Sequence, residues 1–437
     1  MSNGINFDLF IILSWTIAGV VLALLFVMSF YYIWFWSASG KPVEPVPHSD
    51  KKSKFAVLIA ARGESKVIRN IFNSLKEQTY DKKYFDVWAI IEDINDPTAQ
   101  IATEYGFHYF VRDELTDDRH TKGFALQECI RHFKKVNLKY DAYMIFDADN
   151  VMDNNYIEVM NDLRQTGVQV GLGYRNFTNA NVNWLTVNSA VMFAYMNQLT
   201  SRGRSIIFHK TTLMGTGYYV DADIIEDAGG WIFTGMTEDI QLTTYCYYHD
   251  IYMRYYPLIQ FYDEQSASFK TVHTQHIRWL AGYFEKRKFL KVGGIRRSYH
   301  TREFSKLMLF EFNYGLIPFI IFNVVTALYF IISVVMGILA IFFATPYHYG
   351  MIFGLAGYQL FMLFIVFFIA AFLVIYRDNK NLKLTFKSRL KAYLLYGVYF
   401  YDFALAFLDG FFHPNKKVWK KIEHTGEITS EDAKKVS

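Results

Sequence analysis

The sequence predicts an α/β domain with a mostly parallel sheet, joined to an α-helical transmembrane region. Three observations carry that prediction. Long apolar runs lie at the two ends of the 437-residue chain, with a mixed composition between them. Within the middle, short strand-like runs alternate with helical patterns at the spacing of βαβ units. Several of those runs end in carboxylates, so acids gather along one edge of the predicted sheet, where open α/β sheets bind ligands.

Composition narrows the class. The hydrophobic fraction is 52%, the aromatic fraction 19%, and there are only 8 prolines. The net charge of +4 is small and dispersed, which argues against a nucleic-acid partner. Cys129 and Cys246 are the only cysteines, and no Cys-x-x-Cys pair exists, so neither a zinc site nor a disulfide framework is expected. A reducing, cytoplasmic location for the middle domain follows most simply.

In order, residues 1–40 read as an N-terminal membrane helix. The stretch from Phe7 to Trp36 has Asp8 as its sole charged residue and exceeds the roughly twenty residues a span needs. No cleavage site follows it, so it reads as a retained anchor. Lys41, Lys51, Lys52 and Lys54 come next, and the positive-inside rule puts the following domain in the cytoplasm. Residues 41–54, with Pro42, Pro45 and Pro47, form a stiff linker.

The α/β domain occupies 55–284. Phe55–Ala61 reads as a strand, with Arg62-Gly63-Glu64-Ser65 as the turn after it. A helix runs to Leu75, and a second strand near Val87–Ile91 ends in Glu92 and Asp93. Asp96-Pro97-Thr98 opens a helix with proline in its first turn. A third strand, around His108 to Val111, leads through Arg119-His120-Thr121-Lys122-Gly123 into another helix.

The fourth strand, Tyr143–Phe146, runs into Asp147-Ala148-Asp149-Asn150. Two carboxylates one residue apart past a strand end suit Mg²⁺ or Mn²⁺ on a phosphate-bearing substrate, and equally suit the cap of a following helix. No Gly-x-Gly-x-x-Gly or Walker-type loop occurs, which excludes a dinucleotide dehydrogenase or P-loop ATPase.

Beyond Asn150 a strand is expected near Val168–Tyr174 and a helix over about Asn181–Leu199. Three short constellations follow. Met214-Gly215-Thr216-Gly217 is a flexible turn, Thr237-Glu238-Asp239 opens a helix, and Gln275-His276-Ile277-Arg278-Trp279 lies on an amphipathic helix next to the membrane. Taken singly, each has a plain structural reading, as a turn, an N-terminal cap and an interfacial anchor respectively.

Residues 285–316 are expected to be interfacial, since Glu311 and Asn313 would be costly in hydrocarbon. Residues 317–412 hold about two clear spans, with six basic residues from Arg377 to Lys391 marking a cytoplasmic loop. The last apolar segment, Ala392–Phe412, carries Asp402, so it is a third span, a re-entrant helix or a pore-facing one. Residues 413–437 form a polar tail.

In this order and spacing, Ala60-Ala61-Arg62-Gly63-Glu64, Asp93, Lys122, Asp147-Ala148-Asp149, Thr237-Glu238-Asp239 and Gln275-x-x-Arg278-Trp279 resemble the membrane-embedded family 2 glycosyltransferases. That group includes the processive cellulose, hyaluronan, chitin and poly-N-acetylglucosamine synthases. The resemblance implies a GT-A fold, a UDP-sugar donor, a growing glycan chain as acceptor and a multi-pass location in the plasma membrane.

It places Ala61, Glu64, Asp93, Lys122, Asp147, Gln275 and Arg278 at the donor nucleotide. It places Asp149 and Asp147 at a Mg²⁺ or Mn²⁺ ion, and Asp239, with Glu238, at the catalytic base. Gly215, Thr216, Gly217 and Trp279 fall on the acceptor side. Trp419, Lys420 and Lys421 resemble a gating segment, although this stretch ends in Ile422 and His424 where several relatives have Thr and Arg. Gln275-His276-Ile277-Arg278 likewise has histidine where relatives often have arginine.

The reaction so implied is inverting polymerisation of UDP-glucose or UDP-N-acetylglucosamine, with export through the chain's own helices. The tail carries no regulatory module, so control would fall to a small membrane subunit. An alternative is a non-processive transferase adding one sugar to a lipid carrier. A nucleotide-binding transporter or receptor would need more spans than the three clear ones.

Overall fold

The computed structural model describes residues 6–113, 115, 116, 119–292 and 316–412. Most of the expected interfacial segment and the tail, with Trp419, Lys420 and Lys421, lie outside those residues. The first helix, α1 (Phe7–Ser39), covers the N-terminal apolar run, with Asn6 Oδ1 accepting from the Leu9 amide as its cap. The linker after it has no regular element. His48, the Ser49 amide and the Ser53 amide bond to Asp162 and Asn161, strapping the linker along the domain.

The α/β domain is organised on β1 (Phe55–Ala60), β2 (Phe85–Ile91), β3 (His108–Val111) and β4 (Ala142–Asp147). These four are parallel in the order β3-β2-β1-β4. The near-continuous burial of β1, β2 and β4 matches their apolar sequences, as expected where helices cover both faces of a parallel sheet, while the edge strand β3 is exposed or half-buried. The covering helices are α2 (Ile68–Lys76), α3 (Pro97–Glu104) and α4 (Lys122–Lys135), and Asp96 and Thr121 cap the latter two through their side chains.

Beyond β4 the sheet becomes mixed. The short β5 (Val151–Met152) precedes α5 (Tyr156–Gln165), β6 (Val170–Phe177), α6 (Trp184–Met196), a π-helical turn Asn197–Gly203 and α7 (Arg204–Phe208). Then come β7 (Tyr218–Asp221), α8 (Ala222–Asp227), α9 (Glu238–Tyr248) and β8 (Met253–Asp263). The sheet continues β4-β7-β6-β8-β5, antiparallel at every pair except β6 with β8. Asp147-Ala148-Asp149-Asn150 therefore caps no helix; it turns directly from β4 into β5. The strand expected near Val168–Tyr174 runs three residues further, to Phe177, and the helix expected to Leu199 gives way to the π-helical turn at Asn197.

The long α10 (Phe269–Val292) follows β8, and the chain closes with α11 (Leu316–Phe343), α12 (Pro346–Leu382) and α13 (Phe386–Phe412). Among the described residues, Val324–Phe343 and Pro346–Leu382 are long and apolar enough to cross a bilayer, with mean hydropathy 2.6 and 2.7; Phe7–Ala23 is a shorter apolar stretch. The second of these has a kink at Asp378, with φ −104° and ψ 16°, at the level of the sheet. There Asp378 accepts from Tyr174 Oη at 2.7 Å, and Asn381 bonds to Asn176 and Gln260, joining α12 to β6 and β8. The cluster of apolar side chains that covers the sheet is continuous with Phe367, Ala371, Tyr396 and Tyr399 of α12 and α13.

Candidate active site

The register places Ala60 beside Asp147 and Ile90, so the loops leaving β1, β2 and β4 open on one edge of the sheet. A single cavity of about 1050 Å³ lies over that edge. Its floor includes Ala61, Glu64, Lys122, Asp147, Asp149, Gly215, Glu238, Asp239, Gln275, Arg278 and Trp279. Eleven residues that the sequence assigned to a site thus share one cavity.

Lys122 sits at the first position of α4, and its Nζ lies 2.5 Å from Asp147 Oδ1, 2.9 Å from the Gly215 carbonyl and 4.0 Å from Glu238 Oε1. Burial would lower the Lys122 pKa, but Asp147 and Glu238 outweigh burial and raise it, so the ammonium stays charged. The Asp147 turn is pinned from beneath. Its amide donates to Asn150 Oδ1 at 3.0 Å and Thr216 Oγ1 at 2.9 Å, and the Thr216 hydroxyl donates to Asn150 Oδ1.

Thr216 is therefore fully buried and holds the Asp147 backbone, and it does not line the cavity. Gly217 also turns inward: it has φ +71°, and a Cβ there would come within 2.1 Å of Phe261. Of the predicted acceptor turn, only Met214 and Gly215 face the cavity. Asp93 likewise lies away from it, accepting hydrogen bonds from Asn95 within its own turn.

The acid before it, Glu92, lines the cavity instead, held by Arg62 at 2.8 Å, buried Arg112 at 3.0 Å and His120 at 3.4 Å. Strand parity carried the signal, because Glu92 continues β2 directly whereas Asp93 has already entered the turn. Arg175 and Asp263 were also missed. They pair across β6 and β8, and the Arg175 guanidinium lies 4.2 Å from the Phe193 ring centroid and donates to the Met214 carbonyl. Only parallel pairing of two strands far apart in sequence brings them together.

Glu238 and Asp239 occupy the first turn of α9 and are buried. A helix N-terminus favours their ionised forms, yet desolvation dominates. Burial pushes Glu238 up to about 7 against the pull of Lys122, and pushes Asp239 up to about 6 against the Ile240 amide and Lys122. Thr237 does not cap the helix with its side chain; its Oγ1 is buried against Gly282 of α10, where a Cβ would meet it at 2.2 Å. That close approach lets α10 bring Gln275, Arg278 and Trp279 over the two acids.

Gln275 and Arg278 have no hydrogen-bond or ion-pair partner among the described residues. Asp147, Glu238 and Asp239 surround the Arg278 guanidinium electrostatically while it faces open space, as a group awaiting an anion would. The Trp279 ring packs edge-on to Phe193 at 5.9 Å and lines the cavity beside it.

The donor set can be tested against a divalent cation. Among the described residues no three His, Cys, Asp or Glu side chains gather closely enough to hold a metal alone. Asp147 is engaged by Lys122, and Asp149 is the neighbouring oxygen donor on the cavity wall. One or two carboxylates completed by phosphate oxygens and water is the usual shell of Mg²⁺ in nucleotide sites, so the residues fit.

The cavity does not end at the floor. It extends between helices as an arm lined by Leu22, Phe26, Met362, Val366, Ile369 and Ala370 among others. A polar, charge-rich floor and an apolar arm therefore form one space.

Comparison with known proteins agrees with this architecture. The family model described as "Glycosyltransferase like family 2" matches residues 52–282, more than half of the chain. The chain belongs to that family and is a transferase with a GT-A-like α/β sheet.

Among individual proteins, it is 26% identical over 238 residues to a probable glycosyltransferase, YdaM, of Bacillus subtilis (strain 168), covering 52% of this chain and 55% of that one. It is 23% identical over 240 residues to a beta-monoglucosyldiacylglycerol synthase of Trichormus variabilis, covering 53% and 49%. The chain spans about half the length of the curated relatives it matches. The mannosyltransferase PcManGT of Pyrobaculum calidifontis, solved with GDP-Man and Mn²⁺, shares the fold with TM-score 0.54 at 14% identity, covering 89% of this chain and 98% of that one.

Proposed function

We propose that the protein transfers a sugar from a nucleotide-sugar donor to a hydroxyl group of an acceptor carried by a membrane lipid, with inversion in one displacement. One observation carries this reading: the carboxylate floor and an apolar, helix-lined arm are continuous in a single cavity. A sugar-bearing or hydroxyl-bearing headgroup would sit over the floor while its hydrocarbon chain occupies the arm. A polysaccharide tunnel would instead call for polar walls along its length.

In the reaction, Asp239 takes the proton of the acceptor hydroxyl as that oxygen attacks the anomeric carbon. The bond to the nucleoside diphosphate breaks, and Arg278 and Lys122 meet the charge that develops on the leaving oxygens. Asp149, with Asp147, would hold a Mg²⁺ or Mn²⁺ ion, which when bound neutralises diphosphate charge. Glu92, Arg112 and the β1 and β2 loops take the nucleoside end. The relatives named as glucosyldiacylglycerol synthases and the neighbour solved with GDP-Man and Mn²⁺ support the lipid acceptor, sugar nucleotide and metal. The apolar stretches support a multi-pass location with the α/β domain on the cytoplasmic face.

The full chain in lipid nanodiscs, given UDP-glucose, UDP-N-acetylglucosamine or GDP-mannose with Mg²⁺ or Mn²⁺, tests this by nucleotide release and product mass. Discs with diacylglycerol or a glycosyl diacylglycerol should yield a lipid carrying one added sugar with one of the donors. A ladder of long, lipid-free glycan would overturn the lipid acceptor. It would favour the processive synthase, whose support is the Trp279 ring lining the cavity beside Arg278.

A further inference from the structure

His276 interrupts the Gln-x-x-Arg-Trp stretch and Asp402 interrupts the last apolar segment, and neither lines the cavity. In the structure each accounts for the other. His276 Nδ1 lies 2.6 Å from Asp402 Oδ2, and His273 places Nδ1 2.6 Å from Asp402 Oδ1 and Nε2 3.2 Å from Asp409 Oδ2. Asp402 is only 2% exposed and His276 fully buried, with its ring stacked on Phe403 at 3.7 Å. Tyr399 Oη is 3.3 Å from His276 Nε2.

A buried carboxylate is tolerated when its oxygens are hydrogen-bonded, and here each oxygen takes one imidazole. The Tyr399 hydroxyl donating to Nε2 leaves Nδ1–H of His276 as the donor to Asp402.

The two histidines lie on the flank of α10 that meets α13, next to Trp279 and turned away from Gln275 and Arg278. Beside them Ile277, Leu280 and Phe284 pack on Ala406, Phe403 and Phe407, apolar contacts that lack the directional hydrogen bonds the histidines supply. Moving a helix by one residue turns its face by about 100° and shifts it by about 1.5 Å, enough to remove Arg278 from the floor. The His276 ring also lies 5.3 Å from that of Trp279.

We propose that Asp402 is a positioning residue for the transfer reaction: by taking one imidazole on each carboxylate oxygen, it fixes the rotation of α10 on α13 so that Gln275, Arg278 and Trp279 face the floor. This rests on the placement of Arg278 in the transfer site and on no choice of acceptor.

The test uses the full chain in nanodiscs with Asp402→Asn, His276→Leu and His276→Asn, the last keeping an N–H donor near the position of Nδ1. Asp402→Asn and His276→Leu should each lower kcat roughly tenfold or more by misplacing Arg278, in a chain that still purifies folded in nanodiscs. His276→Asn should recover most of the loss. Helix rotation is read separately by thiol labelling at Gln275→Cys, since the two native cysteines are buried. Asp402→Asn should change that labelling rate several-fold.

Wild-type kcat in Asp402→Asn, an unchanged labelling rate, or a failure of His276→Asn to recover activity lost in His276→Leu would each overturn the proposal. If the wild-type chain transfers sugar from no donor, the proposed function fails, and the labelling rate still decides whether Asp402 sets α10.

Discussion

The floor of the cavity and its arm are made differently. At the floor, charged groups come from the ends of β1 to β4, from β6 and β8 and from the first turns of α4 and α9, and most are held by partners: Asp147 by Lys122, Glu92 by Arg62 and Arg112, Arg175 by Asp263. The arm has mostly aliphatic and aromatic side chains from α1, α11, α12 and α13. A preorganised floor can stabilise charge at a reacting centre, whereas an apolar arm can only bind. Changes at the floor should therefore reduce turnover, and changes in the arm should weaken acceptor binding.

The largest separation is expected at Asp239. Asp239→Asn should lower kcat about 10³-fold, the scale of a lost general base, with UDP binding retained in calorimetry. Wild-type turnover should rise as pH rises through about 6, where Asp239 ionises. Stability runs the other way. Glu238 holds its proton up to about 7, above the ordinary carboxylate range, so its contribution is greatest at low pH and is lost as pH rises through about 7. Tm relative to Glu238→Gln should fall over that interval, and a flat difference would mean that Glu238 is not desolvated.

Next is Arg278→Ala, with kcat about 10²-fold lower, the loss typical of one donor to developing negative charge. If KM for the donor rises instead with kcat unchanged, Arg278 binds ground and transition states equally, and the floor binds the donor without lowering the barrier.

The same contrast explains what was legible in the sequence. Floor residues lie at strand ends and helix starts, where local pattern fixes position. Lys122 after its Thr121 cap and Asp147 after an apolar strand could both be placed on the edge. Where one residue of phase matters the local pattern is silent: Glu92 lines the cavity and Asp93 does not, and Thr216 and Gly217 support the Asp147 turn from below. A helix start by itself favours ionised acids; at Glu238 and Asp239 burial under α10 reverses that, and burial there is a tertiary fact. Asp402 looked like a pore or re-entrant residue because its partners lie 126 and 129 positions away. The arm was invisible for the same reason, since its walls come from both ends of the chain.

A smaller effect is expected where α10 meets α9. Gly282→Ala places a methyl group against Thr237 Oγ1 and should cost about 1–3 kcal/mol in Tm-derived stability, as overpacking does, and lower kcat several-fold by lifting α10. Unchanged stability would mean that the two helices separate freely and that the floor is less rigid than the comparison requires.

The smallest effect belongs to the arm. Ala370 is a small, partly exposed residue on its wall, so Ala370→Trp fills space without removing a charge or a hydrogen bond. Partly filling the arm costs an acceptor chain apolar contact worth about 0.5 kcal/mol, less than one buried CH₂, so KM for a lipid acceptor should rise roughly twofold. Because no group at the reacting centre moves, donor hydrolysis to UDP in the absence of acceptor should keep its wild-type rate. A loss of hydrolysis equal to the loss of transfer would show that arm and floor do not act separately, and that the helices hold the catalytic groups in place as well as receive the acceptor.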